Sequence, residues 1–373
     1  MSVVKFSEVA HRANTKEDRF NTDKIYYVGG EHIEPGELFI HDKGFIKGST
    51  IGPMFYCGFK SGQILFVTRN PHLRKCSVAE FDGICSEKTF VIETIDKRIL
   101  LQEYLASVML SDDFWNYCEE NKSGGVNYFL NWSTLADYEF ELPSVEEQKA
   151  ISDKVWAAYR LKESYKKLLA ATEEMVKSQF IEMFKHKKPN GKIADLVDAN
   201  IKSVKKSFNK EDMIEYIDIS SVNAKYRTLN ETTQYIVASA PSRAQQCVQN
   251  GDILVSTVRP INRNVAVVNS NLTNLIASTG FCVLRPIDGY REYLLAIVTS
   301  DKYTEKMCDI ASGGLYPAVN NSDVLSYDIF IPDKDFLHRV TQIYQQADKS
   351  GFELRKSIEA IDKVIKSLVN VNL

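Results

Sequence analysis

Two stretches of the chain place an apolar residue on one face of a helix for most of their length. In residues 144–184 the positions Ile151, Val155, Ala158, Tyr165, Leu169 and Val176 hold a spacing built from threes and fours, the stripe of a helix packed against another helix. Ser144 and Glu147, directly after Pro143, form a Ser-x-x-Glu capping box that satisfies orphan amides at a helix start. Lys185, His186, Lys187 and Lys188 suit the negative pole of the helix dipole, and Pro189 and Gly191 stop the helix. A second stripe runs from residue 333 to near 371 through Leu337, Val340, Tyr344, Ala347, Leu354, Ile358, Ile361, Ile365 and Leu368, with Gly351 as its weak position. Each predicted helix is about 50–60 Å long at 1.5 Å per residue.

A stripe of that length is poorly stable in isolation, because most helical stability comes from packing. The natural partner of each helix is the other, paired antiparallel as a coiled coil, with a globular unit at each end and a pseudo-twofold between them. The competing reading has each helix completing only the core of its own domain; stripes of five turns or more exceed what such a domain requires.

The polar and apolar pattern outside the helices repeats at a separation of 189 residues. Tyr27-Val28 matches Tyr216-Ile217, Gly62-Gln63-Ile64-Leu65 matches Gly251-Asp252-Ile253-Leu254, and Pro71 and Arg74 match Pro260 and Arg263. Glu103-Tyr104-Leu105 falls on Glu292-Tyr293-Leu294, Ser111-Asp112 on Ser300-Asp301, and Ser123-Gly124-Gly125 on Ser312-Gly313-Gly314. Offsetting indels are expected where Phe90 meets Phe281. Because 189 is 27 times 7, the two stripes also share a heptad register. So long a period marks duplicated domains, not a solenoid.

Residues 63–68, 252–257, 89–93 and 281–285 read as buried strands, and 100–111 and 290–300 as short amphipathic helices. The fold class is therefore α/β of the α+β kind, with no doubly wound sheet. The organisation is a first domain at 1–142, a central spacer helix at 143–188, a second domain at 189–331 and a C-terminal spacer helix at 332–373. The two copies share a frame but differ in most side chains, as one scaffold reading two different targets would.

Composition sets outer limits. The 373 residues are 44% hydrophobic and 25% charged, enough for two cores and a helical element. No apolar run reaches the length of a membrane span and the start lacks a signal-peptide core, so a cytoplasmic protein is expected. Seven cysteines without a C-x-x-C pair point to buried reduced thiols, not to a metal site or a disulfide framework. The six histidines share no ligand spacing, and no phosphate loop, metal-protease pair or nucleophile elbow is present. No catalytic residue, metal or cofactor is assigned to this chain.

Two divergent units, each followed by a Pro-capped heptad helix, and the run LPSVEEQKAI leading into the first helix, resemble the specificity subunit of Type I restriction-modification systems. The second helix departs from that pattern, since 331–336 lacks the Glu-Gln pair. The resemblance implies that each unit is a target recognition domain on double-stranded DNA and that the helices are a ruler. It also implies that two methyltransferase subunits dock along them to modify adenine, with S-adenosylmethionine held in the methyltransferase partner, and that restriction and translocase subunits join the assembly. The alternative is a scaffold or adaptor protein that does not bind DNA.

Arginine suits bidentate contacts with guanine and phosphate, so the leading DNA-contact candidates are Lys60, Arg69, Arg74 and Lys75 in the first copy and Arg243, Arg259 and Arg263 in the second, taken as corresponding regions. The residues after the Ser-Gly-Gly triplets, Asn127, Tyr128, Tyr316 and Asn320, are the second set, because glycine lets backbone approach a groove closely. For each of these the competing reading is solvated surface or a plain turn. A basic run at 202–210 is a third candidate for phosphate contact. The formal net charge of −3, from 46 Lys plus Arg against 49 Asp plus Glu, predicts weak DNA binding by the chain alone, with phosphate contacts supplied by partners. If the helices are a ruler, the half-sites lie roughly 34 Å apart, one turn of B-DNA. Inserting one or two helical turns within 151–180 then lengthens the unread spacer and leaves both half-sites intact when the recognised sequence is mapped; an unchanged spacer sinks the ruler.

Overall fold

The run Ile64-Leu65-Phe66-Val67 contains no polar residue because it is a central strand with both faces covered. In the computed structural model, which describes residues 2–198, 200–224 and 226–371, it is one of eight strands in two sheets of the first copy. These are β1 (Ala10–Ala13), β2 (Tyr26–Val28), β3 (Gly44–Phe45), β4 (Phe55–Phe59), β5 (Ile64–Val67), β6 (Cys76–Val78), β7 (Gly83–Ser86) and β8 (Thr89–Thr94). An inner sheet has the order β1-β8-β5-β6 and an outer sheet the order β3-β2-β7-β4. Leu65 and Val67 pack in the core with Val28 and Phe59 of the outer sheet, while Ile64 and Phe66 face the helices α1 (Gln102–Val108) and α2 (Asp112–Glu120). After α2 the chain enters α3 (Val145–Phe184).

The second copy repeats this plan. Strands β9 (Met213–Ile217), β10 (Thr233–Ile236), β11 (Ala244–Cys247), β12 (Ile253–Ser256), β13 (Val265–Val267), β14 (Leu275–Ser278) and β15 (Phe281–Leu284) form an inner sheet β13-β12-β15 and an outer sheet β10-β9-β14-β11. Helices α4 (Arg291–Val298), α5 (Asp301–Ile310) and α6 (Lys334–Val371) follow. The frame of 189 holds in backbone detail: Gly62 and Gly251 both have φ 90°, and Ser111 and Ser300 both cap a helix through their hydroxyls. One equivalence needs correction. Val67 pairs with Thr89 where Ser256 pairs with Phe281, so Phe281 matches Thr89 and not Phe90. The shift arises earlier, because eight positions separate Val267 from Leu275 where five separate Val78 from Gly83.

The chain divides into a first unit of 1–168 with 354–373 and a second of 169–353. In the first unit Val155 and Tyr159 of α3 share a core with Ile365 and Val369 of α6. In the second unit Phe180 meets Tyr344 at 6.4 Å and Phe184 meets Phe336 at 5.0 Å between ring centroids, so α3 and α6 run antiparallel there. Of the stripe residues, Val155, Leu169, Val176, Val340 and Ile365 are buried, and Ile151, Ala158, Tyr165, Leu337, Tyr344, Ala347, Leu354, Ile358, Ile361 and Leu368 are half-buried. Gly351 does not break the second stripe: α6 runs through it and the residue is buried. Full burial of one aliphatic side chain contributes about 1.5–3 kcal/mol, which more than offsets the roughly 1 kcal/mol that a mid-helix glycine costs.

The predicted capping box is formed, with the Glu147 amide donating to Ser144 Oγ at 3.3 Å and the Ser144 amide donating to Glu147 Oε2 at 3.0 Å. Gln148 explains the Glu-Gln pair. Its buried amide accepts from the Leu101 amide at 2.9 Å and donates to the Ile99 and Pro143 carbonyls at 2.9 and 3.0 Å, fixing α3 to its domain. At the equivalent position of α6 stands Leu337, packed against its own unit's core, and Asp333 caps the helix through the Phe336 amide at 2.8 Å.

All seven cysteines are free; Cys76, Cys85, Cys118 and Cys282 are buried. Among the described residues no helix is long and apolar enough to cross a membrane. Glu37, His41 and Glu163 lie within ligand spacing of one another, but Glu37 is already met by ammonium groups: Lys162 at 2.8 Å and Lys166 at 2.9 Å. Lys162, buried on α3, also reaches Asp362 of α6 at 2.6 Å. Burial alone would raise the Glu37 pKa, yet the two lysines hold it below the usual carboxylate range. Its stabilising contribution is therefore complete above the ordinary glutamate pKa and fades as pH falls through the lower, folded value. Glu37→Gln is expected to cost about 1.5–3 kcal/mol of unfolding free energy at pH 7, because it removes the carboxylate that Lys162 and Lys166 share and leaves the buried Lys162 with Asp362 alone, and the deficit should shrink on acidification below about pH 4.5; denaturant melts at several pH values measure it.

Candidate nucleic-acid interface

Both copies turn sharply after the central inner strand, and the turn is strained in the same way. In the first unit a 3₁₀ turn, Pro71–Leu73, lies between Asn70 at φ 52° and Arg74 at φ 50°. In the second, Pro260–Asn262 lies between Arg259 at φ 49° and Arg263 at φ 51°. Left-handed backbone at a non-glycine residue costs of order 1 kcal/mol or more, so the surroundings must over-determine it. They do so through the Ser-Gly-Gly loop: the Asn70 amide donates to the Tyr128 carbonyl at 2.9 Å, and the Arg259 amide to the Pro317 carbonyl at 2.7 Å. Ser123 bridges Phe129, and Ser312 bridges Ala318, closing each loop on itself. The turn and the glycine loop, separate in sequence, are one surface in each unit.

The arginines on this surface divide by function. Arg74 pairs with Asp112 at 2.5 Å and Arg263 with Asp301 at 2.6 Å. Each aspartate opens a short helix, where a negative charge is favoured by the helix dipole. Each also engages a long helix: Asn370 of α6 accepts from the Asp112 amide at 2.7 Å, and Lys177 of α3 pairs with Asp301 at 2.7 Å. Hydrogen bonds from Lys177 and Arg263 hold the Asp301 carboxyl below its ordinary pKa. Arg74 and Arg263 thus tie the loop to the helices, their charge offset by the aspartate while their other N–H groups stay partly exposed.

Arg259 is presented differently. Its guanidinium lies 4.4 Å from the centroid of the exposed Tyr316 ring and donates to the Leu315 carbonyl at 3.1 Å, which fixes its plane and leaves its remaining N–H edge toward solvent. Arg69 stacks on Phe129 at 5.4 Å, and Lys122 on Tyr128 at 4.5 Å. Asn127 is exposed on the same loop. Lys75 donates to the Gly30 carbonyl at 2.5 Å. Asn320 sits at the N-cap of the helix Asn321–Leu325, its amide donating to Asp323 at 2.7 Å.

Lys60 and Arg243 stand elsewhere, at the ends of outer-sheet strands β4 and β11. They are not equivalent: subtracting 189 from 243 gives Met54, and Arg259 matches Asn70 and not Arg69. The basic stretch at 202–210 contains the helical turn Val204–Ser207, with Lys205 and Lys206 exposed and Val204 buried. The exposed tips Val126 and Leu315, 94% and 86% accessible, flank the two glycine triplets and belong with Asn127, Tyr128 and Tyr316 to the second candidate surface read from the sequence. Their matched positions directly after the second glycine were the available signal.

This duplicated scaffold, with a strained cationic loop on each copy and two long paired helices, has the architecture of an internally repeated α+β protein. Its likeness is to the specificity subunits of Type I restriction-modification systems. The Type I restriction enzyme HindI specificity subunit of Haemophilus influenzae is 29% identical over 137 residues. That match takes in 35% of this chain and 30% of the relative's length. The crystal structure of the Type I restriction-modification S subunit from M. genitalium superposes with a TM-score of 0.60 at 11% identity, covering 100% of this chain and 96% of that one. A chain of a type I R-M system, studied for complex assembly and conformational transition, gives 0.54 at 19% identity, covering 100% and 98%. At these identities the structures establish the shared fold. No family model matches the chain.

The middle glycine of the first triplet holds the loop geometry. Gly124 has φ 96°, and a Cβ there would lie 2.7 Å from the Asn127 carbonyl oxygen. Gly124→Ala should cost about 1–3 kcal/mol in denaturant unfolding and accelerate exchange of the Asn70 amide, read by hydrogen exchange with mass spectrometry. Gly125→Ala, whose Cβ meets open space, should do neither.

Proposed function

We propose that this chain is the sequence-specific DNA-recognition subunit of a Type I restriction-modification complex. Each unit reads one half of a bipartite, asymmetric site on double-stranded DNA. Methyltransferase subunits, which carry S-adenosylmethionine and the adenine-modifying chemistry, dock on the long helices together with restriction and translocase subunits. The chain itself contributes recognition and position and no catalytic group.

One observation carries the reading. The two units keep the same strained turn, the same loop closure and the same aspartate bridge, while the side chains presented to solvent differ, Arg259 and Tyr316 standing where Asn70 and Asn127 stand. Constant support under variable display is what two different half-sites require of one scaffold. Partner docking is supported by apolar side chains left exposed on α3: Leu161 in the first unit, and Met175 and Ile181 in the second. The modest net charge fits a reader whose phosphate contacts are shared with partners.

The test is co-expression with the neighbouring methyltransferase gene product and sequencing of N6-methyladenine across the host DNA. A bipartite asymmetric motif should appear only with this chain, and Arg259→Ala should relax one position of one half-site by roughly tenfold. Methylation that is indifferent to this chain would leave the adaptor reading in its place.

A further inference from the structure

The edge of each outer sheet is an antiparallel two-stranded ribbon, β2–β3 in the first unit and β9–β10 in the second. Both ribbons have one rung at the same place in the scaffold. Tyr26 faces Phe45, and its parallel neighbour is Gly83; Glu215 faces Gln234, and its parallel neighbour is Leu275. Tyr26 and Glu215 are 189 apart, and Gly83 and Leu275 differ by the 192 that the ladder registers require.

The chemistry at this rung is opposite in the two units, and in each it is held in place. In the second unit Gln234 donates to Glu215 Oε1 at 2.7 Å and Thr232 donates to Oε2 at 2.5 Å. Gln234 is exposed and Glu215 half-buried, and Met213 and Ile236, the next pair on the same face, are 50% and 46% accessible. The Gln234 carbonyl oxygen and one amide hydrogen remain to be offered, beside the unused lone pairs of Glu215. In the first unit Phe45, 64% accessible, packs 5.4 Å from Tyr26, and Lys43 lies 4.2 Å from the Tyr26 centroid and 4.0 Å from that of Phe81. A merely solvated face has no need of side chains fixed by their neighbours.

We infer that these edge ribbons are a second base-reading surface, and that the rung Glu215–Gln234 against Tyr26–Phe45 sets part of the difference between the two half-sites. The inference rests on the DNA-recognition reading above. A two-stranded ribbon fits the major groove of B-DNA, and groove-reading ribbons place outward side chains against base edges. Gln234 and Glu215 supply acceptors, with one donor, for a base that carries an exocyclic amine, adenine or cytosine. Tyr26 and Phe45 supply apolar contact for a thymine methyl group, with Lys43 placed for a flanking phosphate.

The experiment maps N6-methyladenine in cells that express the full chain with its methyltransferase subunits. Gln234→Ala and, separately, Glu215→Gln should relax or change one adenine- or cytosine-containing position in a single half-site, roughly tenfold in preference, with the other half-site and the spacer unchanged. Phe45→Ala should relax one position of the opposite half-site. Motifs identical to the wild type at full methylation overturn the inference. So does loss of all methylation in both Gln234→Ala and Glu215→Gln, because a surface rung has no part in the core. A wild-type motif that is not bipartite, or that forms without this chain, fails the underlying reading instead.

Discussion

The first unit's core is closed by a helix segment from the far end of the chain, the second's by the end of α3 that leads into it, and the rest of the structure depends on that closure. Ile365 and Val369 complete the core that begins at Phe6, and Phe180, Met183 and Phe184 complete the one that contains Ile253 and Tyr293. Closing so long a loop adds little entropy beyond a short one, because the cost grows only with the logarithm of length. A few buried aliphatic and aromatic side chains, at about 1.5–3 kcal/mol each, exceed it. The heptad stripe therefore does more than pair two helices. It makes 1–168 an incomplete core without 354–371.

The aspartate bridges pass that constraint to the candidate reading loops. Asp112 and Asp301 each stand at a helix start and hold a left-handed arginine on one side and a side chain of a long helix on the other. The residues from the long helices differ, Asn370 in one unit and Lys177 in the other, yet the geometry of the turn is the same. The ionic contacts are partly exposed and individually weak. They act by position: with the glycine loop closed behind it, the turn has one arrangement, and Arg259 and Asn70 project from a fixed base.

Elements whose physics is local were legible in the sequence. The stripes, the Ser144–Glu147 cap and the buried strands follow from periodicity and from residue types that act within a few positions. Features that need a distant partner were not. Arg74 read as a contact candidate because Asp112 lies 38 positions away, and nothing near Lys162 in sequence marks it as interior, where Glu37 and Asp362 hold it. Phe90 was matched to Phe281 by shared type, whereas strand register, set by hydrogen bonding, matches Phe281 to Thr89. The outer-sheet rungs were hidden for the same reason, since Glu215 and Gln234 meet only through strand pairing.

The near-neutral charge is consistent with this division between support and display. A binder that relies on phosphate attraction needs excess cations, and each arginine paired internally is lost to that purpose. Here Arg74, Arg263 and Arg285 are paired with carboxylates, the last with a buried Asp252 at 2.7 Å. Cationic and polar groups kept for display are few and held by aromatic or carbonyl neighbours, as Arg259 is by Tyr316 and Leu315. A fixed donor loses less entropy on binding than a mobile one and discriminates better between base edges. Under the proposed function, such a surface gains selectivity at the expense of overall attraction, and partner subunits on the phosphate backbone would supply what it lacks.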